Sequence, residues 1–133
     1  MNVAVTGAAG FIGTNLFFSD LFKCYNLFGS DIKRPRYNLL NFQIVDLCDT
    51  QRCSSWLDEV KPEAIIHLGA RTDLRGNSIK DYNANTAGVK NICSWLIRNP
   101  VCRIALFAST RLVCKIGYQP KNDHDYCPTT TLS

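Results

Sequence analysis

No stretch of this 133-residue sequence approaches the roughly 18 consecutive apolar residues that a bilayer-spanning helix needs, and no charged leader with an apolar run precedes the first strand-like segment. A membrane partner is therefore not expected, and the cytoplasm is the default location. Long runs of one charge are missing as well. The 15 Lys and Arg stand against 11 Asp and Glu, and the resulting net charge of +4 is scattered along the chain, well short of the basic stripe of a nucleic-acid binder. Nucleic acid is not an expected partner either. Among the seven cysteines (Cys24, Cys48, Cys53, Cys93, Cys102, Cys114 and Cys127) there is no C-x-x-C pair, and none stands at zinc-finger spacing from a histidine. The expectation is reduced, mostly buried small apolar side chains and no metal site. Internal repeats and low-complexity tracts are absent too. With 46% hydrophobic residues the chain can build one domain with a real core, but at this length not two.

What is present is an alternation of short apolar runs and helical patterns. Val3-Ala4-Val5 reads as a strand that ends in Thr6-Gly7, and a helical segment follows from Phe11 to about Lys23. A second strand covers Tyr25 to Gly29 and stops at Asp31; a third covers Phe42 to Val45 and ends at Asp46. Asp49 or Thr50 is placed to cap a helix whose Cys53, Trp56, Leu57 and Val60 recur at helical spacing, with Pro62 as its stop. Ala64 to Leu68 is almost continuously apolar, as a strand covered on both faces of a parallel sheet should be. From about Ile79 to Arg98, Tyr82, Thr86, Val89, Cys93 and Leu96 mark one face of a single long helix that Asn99-Pro100 ends. Arg103 to Ala108 is the fifth strand, and the tail from Cys114 to Ser133 reads as a long loop. Strands alternating with helices imply right-handed crossovers and an α/β fold: a Rossmann-type, doubly wound parallel sheet of about five strands in the order 3-2-1-4-5.

The first strand-to-helix junction carries chemistry. In Gly7-Ala8-Ala9-Gly10-Phe11-Ile12-Gly13 the glycines stand at positions one, four and seven. Gly7 permits a tight exit from the strand, Gly10 a close approach of backbone to a pyrophosphate, and Gly13 close packing of the helix on the sheet. An anion would then sit on the helix N-terminal amides. The pattern is G-x-x-G-x-x-G, not G-x-G-x-x-G, but it follows a strand, opens a helix, and precedes an acidic residue at the end of the second strand. Asp31, beside Ile32 and Lys33, lies 24 residues beyond Gly7, near the spacing of the carboxylate that accepts hydrogen bonds from the adenosine ribose. A carboxylate there repels a 2′-phosphate, so NAD is favoured over NADP. Lys33 and Arg34 pull the other way, because a nearby cation accommodates NADP; their alternative, with Arg36, is a solvated loop.

Several stretches in order carry a family resemblance: TGAAGFIG from Thr6 to Gly13, Val45-Asp46-Leu47, HLGA from His67 to Ala70, the segment Asn83 to Asn91, and FASTRLV from Phe107 to Val113. Together they cover almost the whole chain, which resembles the extended short-chain dehydrogenase/reductases, NAD-dependent epimerases and dehydratases of nucleotide sugars. The resemblance implies that Asp46 and Leu47 flank the adenine, that Leu68, Gly69 and Ala70 line the cofactor, and that Asn85 supports the active-site region from the long helix. It assigns Thr110 the hydrogen bond to the reacting hydroxyl or carbonyl, with Ser109 as its neighbour and substitute. Other readings stay open: Asp46 as a helix-capping carboxylate, Thr110 as a loop hydroxyl, and Arg71, Asp73 and Arg75 as substrate contacts or a salt-bridged loop. His67 is read as a packed strand-end histidine.

The family's proton-transfer pair, a tyrosine with a lysine four residues later, is missing. The residues four positions before the seven lysines are Ser19, Gly29, Leu57, Gly76, Thr86, Arg111 and Gly117, and Tyr118 and Lys121 are only three apart. By resemblance the tyrosine falls just past Ser133, so residues 1–133 are expected to be an incomplete NAD-binding domain without its C-terminal substrate lobe. Cys114 and Lys115 also depart from the family's usual Tyr-Gly. Two functions follow: the NAD-binding part of a nucleotide-sugar epimerase or dehydratase, inactive alone, or a non-enzymatic NAD sensor or interaction module that uses an uncovered fifth strand. A homo-oligomer is compatible with either.

Overall fold

The computed structural model describes residues 1–73, 75, 76, 78–109 and 114–127, leaving aside the Ile79 side chain. Five strands, β1 (Asn2–Thr6), β2 (Asn26–Asp31), β3 (Phe42–Ile44), β4 (Ala64–His67) and β5 (Ile104–Phe107), form one sheet in the order β3-β2-β1-β4-β5. All four pairings are parallel. The chain builds outward from β1 to β3, then returns to place β4 on the other side of β1. That reversal opens a crevice at the carboxyl ends of the strands, the usual ligand position in such sheets.

Alternation along β1 divides the core. Val3 and Val5 join Ala8, Leu27, Leu39 and Ala64 under helix α1 (Phe11–Phe18). Ala4 faces the other way and joins Leu57, Ile65, Ile92 and the two tryptophans, Trp56 and Trp95, under helices α2 (Thr50–Val60) and α3 (Val89–Arg98). In α2 the apolar positions expected from spacing, Cys53, Trp56, Leu57 and Val60, are the buried ones. Asp49 is the cap: its Oδ1 accepts from the Gln51 and Arg52 amides, both at 3.0 Å. At the other end Lys61 takes left-handed geometry before the fully buried Pro62.

Three expectations need correction. The first helix ends at Phe18, not near Lys23, because Ser19 leaves helical geometry and its Oγ accepts from the Leu21 amide, starting a separate 3₁₀ turn (Asp20–Phe22). The long second-half helix is not uniform: a 3₁₀ turn (Ile79–Tyr82) and a widened π turn (Ala84–Gly88) precede α3. Of the seven cysteines, Cys53 alone is buried; Cys24 is exposed and the other five are half-buried, all as free thiols. No helix among the described residues is long and apolar enough to cross a membrane.

Candidate functional site

The site begins at the turn between β1 and α1. Gly7 has φ +67°, and a Cβ on it would stand 2.7 Å from the backbone of Leu68 and Gly69, so the strand exit and the stretch after β4 touch backbone to backbone. Gly10 starts α1 without a side-chain cap, and the first intrahelical bond, Thr14 amide to Gly10 carbonyl, is 2.9 Å. The amides of Phe11, Ile12 and Gly13 therefore have no acceptor within the helix. The side chains of Phe11 and Ile12 are exposed, so what these residues offer a ligand is backbone. A Cβ on Gly10 would meet only the Gly7 carbonyl oxygen, at 3.2 Å.

Gly7 and Gly10 border a cleft of about 640 Å³, within the range of small-molecule sites. The glycine turn supplies Gly7 and Gly10; the end of β2 supplies Asp31, Ile32 and Lys33; the stretch after β3 supplies Asp46 and Leu47; and the stretch after β4 supplies Leu68, Gly69 and Ala70. Asp31 is tied on both oxygens: Oδ2 accepts from the Ala9 amide at 3.1 Å and Oδ1 from the Lys33 amide at 3.2 Å. It therefore clamps the glycine turn to the end of β2. Each carboxylate oxygen keeps a free lone pair for a ribose hydroxyl. Arg34 lines the same cleft and has no ion-pair partner among the described residues. Asp46 does not cap α2; its Oδ1 accepts from the Cys48 amide at 2.9 Å, closing a turn of its own. Asn91 on α3 fixes that turn from behind by donating to the Leu47 carbonyl at 2.8 Å.

Asn85 stands on the π turn outside the cleft. Its Oδ1 accepts from the Arg71 amide at 2.7 Å and its Nδ2 donates to the Arg71 carbonyl at 3.0 Å, so one side chain holds the chain leaving β4. Beyond it, Arg71 pairs in two-pronged fashion with Asp73, Nε at 2.8 Å and Nη2 at 3.1 Å, and donates from Nη1 to the Asp81 carbonyl. Hydrogen bonding from Arg71, then from the Arg75 amide, holds the Asp73 carboxyl down to about 2. Arg71 and Asp73 thus form the salt-bridged loop, and both also line the cleft. Thr110 lies outside the described residues; Ser109 is exposed beyond β5.

Sequence reasoning missed a polar row. Thr6, Ser30 and His67 are the buried polar residues among those described, and the strand registers pair Thr6 with both of the others. The Thr6 hydroxyl oxygen accepts from the Leu68 and Gly69 amides, each at 3.2 Å, and lies 2.7 Å from His67 Nδ1. Amides only donate, so the one hydroxyl proton goes to His67, whose Nδ1 must be bare and whose proton sits on Nε2. Burial pushes the His67 imidazole below its usual pKa, in agreement with a neutral ring. Ser30 Oγ has no hydrogen-bond partner among the described residues. The signal was a hydroxyl residue closing the first strand, visible in the sequence but meaningless without the register.

This arrangement, an uncapped helix start and a carboxylate bordering one crevice at the sheet's switch point, is of the kind that suits a dinucleotide. Residues 3–133 match the NAD dependent epimerase/dehydratase family. The chain belongs to that family. With that membership the cofactor is NAD. Over 108 residues the chain is 30% identical to GDP-6-deoxy-D-talose 4-dehydrogenase of Aggregatibacter actinomycetemcomitans, covering 80% of this chain and 34% of that enzyme. Among solved structures, L-threonine 3-dehydrogenase from Trypanosoma brucei superposes with a TM-score of 0.81 at 26% identity, over 97% of this chain and 43% of its own. A UDP-galactose 4-epimerase gives 0.75 at 26% identity, over 96% of this chain and 45% of its own. The chain thus spans less than half the length of each of these relatives.

Proposed function

We propose that residues 1–133 are the NAD-binding part of an enzyme that moves a hydride between a carbon of a nucleotide sugar and the nicotinamide, with the substrate-holding lobe outside these residues. The observation that carries this reading is the cleft that brings Gly7 and Gly10, at the uncapped start of α1, together with the Asp31 carboxylate. In it, the amides of Phe11, Ile12 and Gly13 hold the pyrophosphate, the free lone pairs of Asp31 take the adenosine ribose hydroxyls, and Asp46 and Leu47 flank the adenine. Leu68, Gly69 and Ala70 line the path toward the nicotinamide, and Asn85 positions the chain beyond them. Bound NAD supplies the hydride acceptor. Thr110 hydrogen-bonds the reacting oxygen, with Ser109 beside it.

The sugar assignment rests on the family and on the talose dehydrogenase relative. Acid–base exchange at the sugar hydroxyl is a separate requirement, and no tyrosine in the chain has a lysine four residues later to serve it. These 133 residues therefore bind the cofactor without turning over a nucleotide sugar. Calorimetric titration of the folded chain is the test, with NAD expected to bind more tightly than NADP because the Asp31 charge opposes a 2′-phosphate. Equal or tighter NADP binding would transfer control of the ribose pocket to Lys33 and Arg34. Binding of neither, or turnover by homogeneous protein, would remove the reading.

A further inference from the structure

Beyond β5 the chain holds a feature that the cofactor site does not use. Residues 114–127 form a loop whose ends meet: Cys114 and Cys127 pair as an isolated parallel bridge, closed by the Lys115 amide donating to the Cys127 carbonyl at 2.7 Å. Four residues of the loop are half-buried, Cys114, Tyr118, Asp125 and Cys127, and the rest are exposed. Asp125 organises this interior. Its Oδ1 accepts from the Tyr118 hydroxyl at 2.5 Å, and its Oδ2 accepts from the Lys121 amide at 2.9 Å. Cys114 Sγ lies 3.8 Å from the Asp125 carbonyl oxygen. The Asp125 bond and then burial push the Tyr118 hydroxyl up to about 12.

Neighbouring strands stand about 4.8 Å apart, inside the roughly 4.4–6.8 Å range of Cα separations that a disulfide spans. Registered residues of a parallel pair also send their side chains to the same side. We propose that Cys114 and Cys127 are a disulfide-forming pair, a modification site that ties the loop shut when a small-molecule disulfide such as oxidised glutathione is the oxidant. One cysteine thiolate attacks a glutathione sulfur, forming a mixed disulfide and releasing one glutathione thiolate. The second attacks the protein sulfur of that mixed disulfide, forms the Cys114–Cys127 bond and releases the other glutathione. The protein pair loses two electrons and two protons, which end on two glutathione thiols. The remaining cysteines are worse placed. Among the described residues no other two cysteines are bridge partners, and burial pushes the thiols of Cys48, Cys53 and Cys102 up, which makes their thiolates scarcer.

The test takes the folded 133-residue chain through a series of oxidised-to-reduced glutathione ratios, blocks remaining thiols by alkylation, and maps tryptic peptides by mass. Cleavage after Lys115 and Lys121 separates the two cysteines, so a link between them is unambiguous. The expected result is one reducible cross-link joining the Cys114 and Cys127 peptides, with the other five cysteines alkylated. Cys114→Ser and Cys127→Ser should each abolish the cross-link and leave the surviving partner as a glutathione adduct or an alkylated thiol. A different pairing overturns the proposal. So does alkylation of both cysteines at ratios where the same chain, unfolded in denaturant, forms disulfides.

Discussion

Thr6 shows how one buried side chain can organise the backbone that lines a cleft. Its hydroxyl has one proton and two lone pairs, all committed, and the two amides it holds belong to residues that line the cleft. His67 is its proton acceptor, and this gives a pH dependence with a defined sign. Burial lowers the His67 pKa in the folded chain relative to about 6.5 when unfolded, so below that value the unfolded chain binds more protons. The His67 contribution to stability is complete above about pH 6.5 and declines as pH falls beneath it, with a slope of at most about 1.4 kcal/mol per pH unit. Urea unfolding between about pH 7.5 and 5.5 should show the decline. His67→Gln, whose amide oxygen can accept the Thr6 proton and does not titrate, should flatten it; an unchanged slope would free His67 of the role. Ser30 is the opposite case, a buried hydroxyl without a partner among the described residues. Ser30→Ala removes the orphan at the loss of one atom of packing and should raise stability by about 1 kcal/mol, read as a higher melting temperature. A lower one would mean that the hydroxyl has a partner in solution.

At the level of elements, the glycine turn and α1 were legible because their requirement is local: only glycine serves at Gly7, and the pattern sits between a strand and a helix. The third glycine has a tertiary reason. A Cβ at Gly13 would lie 2.4 Å from the Gly7 carbonyl oxygen and 2.6 Å from the Ala8 Cα, so Gly13→Ala forces α1 away from the turn it must face. Helix propensity favours alanine there by up to about 1 kcal/mol, and overpacking opposes it by about 1–3 kcal/mol. The expected outcome is a lower melting temperature with a larger proportional loss of NAD affinity, since the displaced amides are those proposed to hold the pyrophosphate. A more stable variant with unchanged affinity would refute this. The long helix was less legible. Apolar spacing from Tyr82 to Leu96 fits one continuous winding, whereas the π turn and the Asn85 bonds to Arg71 depend on a loop that spacing does not register. The end of α1 at Ser19 escaped for a related reason: a side chain captured the Leu21 amide, and apolar periodicity says nothing of that competition.

Over the whole molecule, the strand order followed from the alternation of elements, but the balance of the two faces did not. Every residue of β5 is exposed, with Ile104 at 49%, Leu106 at 57% and Phe107 at 38%, and β5 is also an edge of the sheet. Apolar side chains beside an unpaired backbone edge favour association. Light scattering of the 133-residue chain should therefore show mass rising with concentration, and Leu106→Lys should suppress the rise while leaving NAD affinity intact. A concentration-independent monomer would refute this. On the opposite side of the sheet's switch point, Leu47 has a different kind of prominence. A Cβ on Gly69 would meet its Cδ1 at 3.0 Å and a Cβ on Gly88 would meet its Cβ at 3.2 Å, while Asn91 grips its carbonyl. The stretch after β4, the π turn and α3 thus all converge on one leucine. Leu47 is therefore a keystone: a side chain added at position 69 or 88 would press on it, and with it on the turn whose carbonyl Asn91 holds.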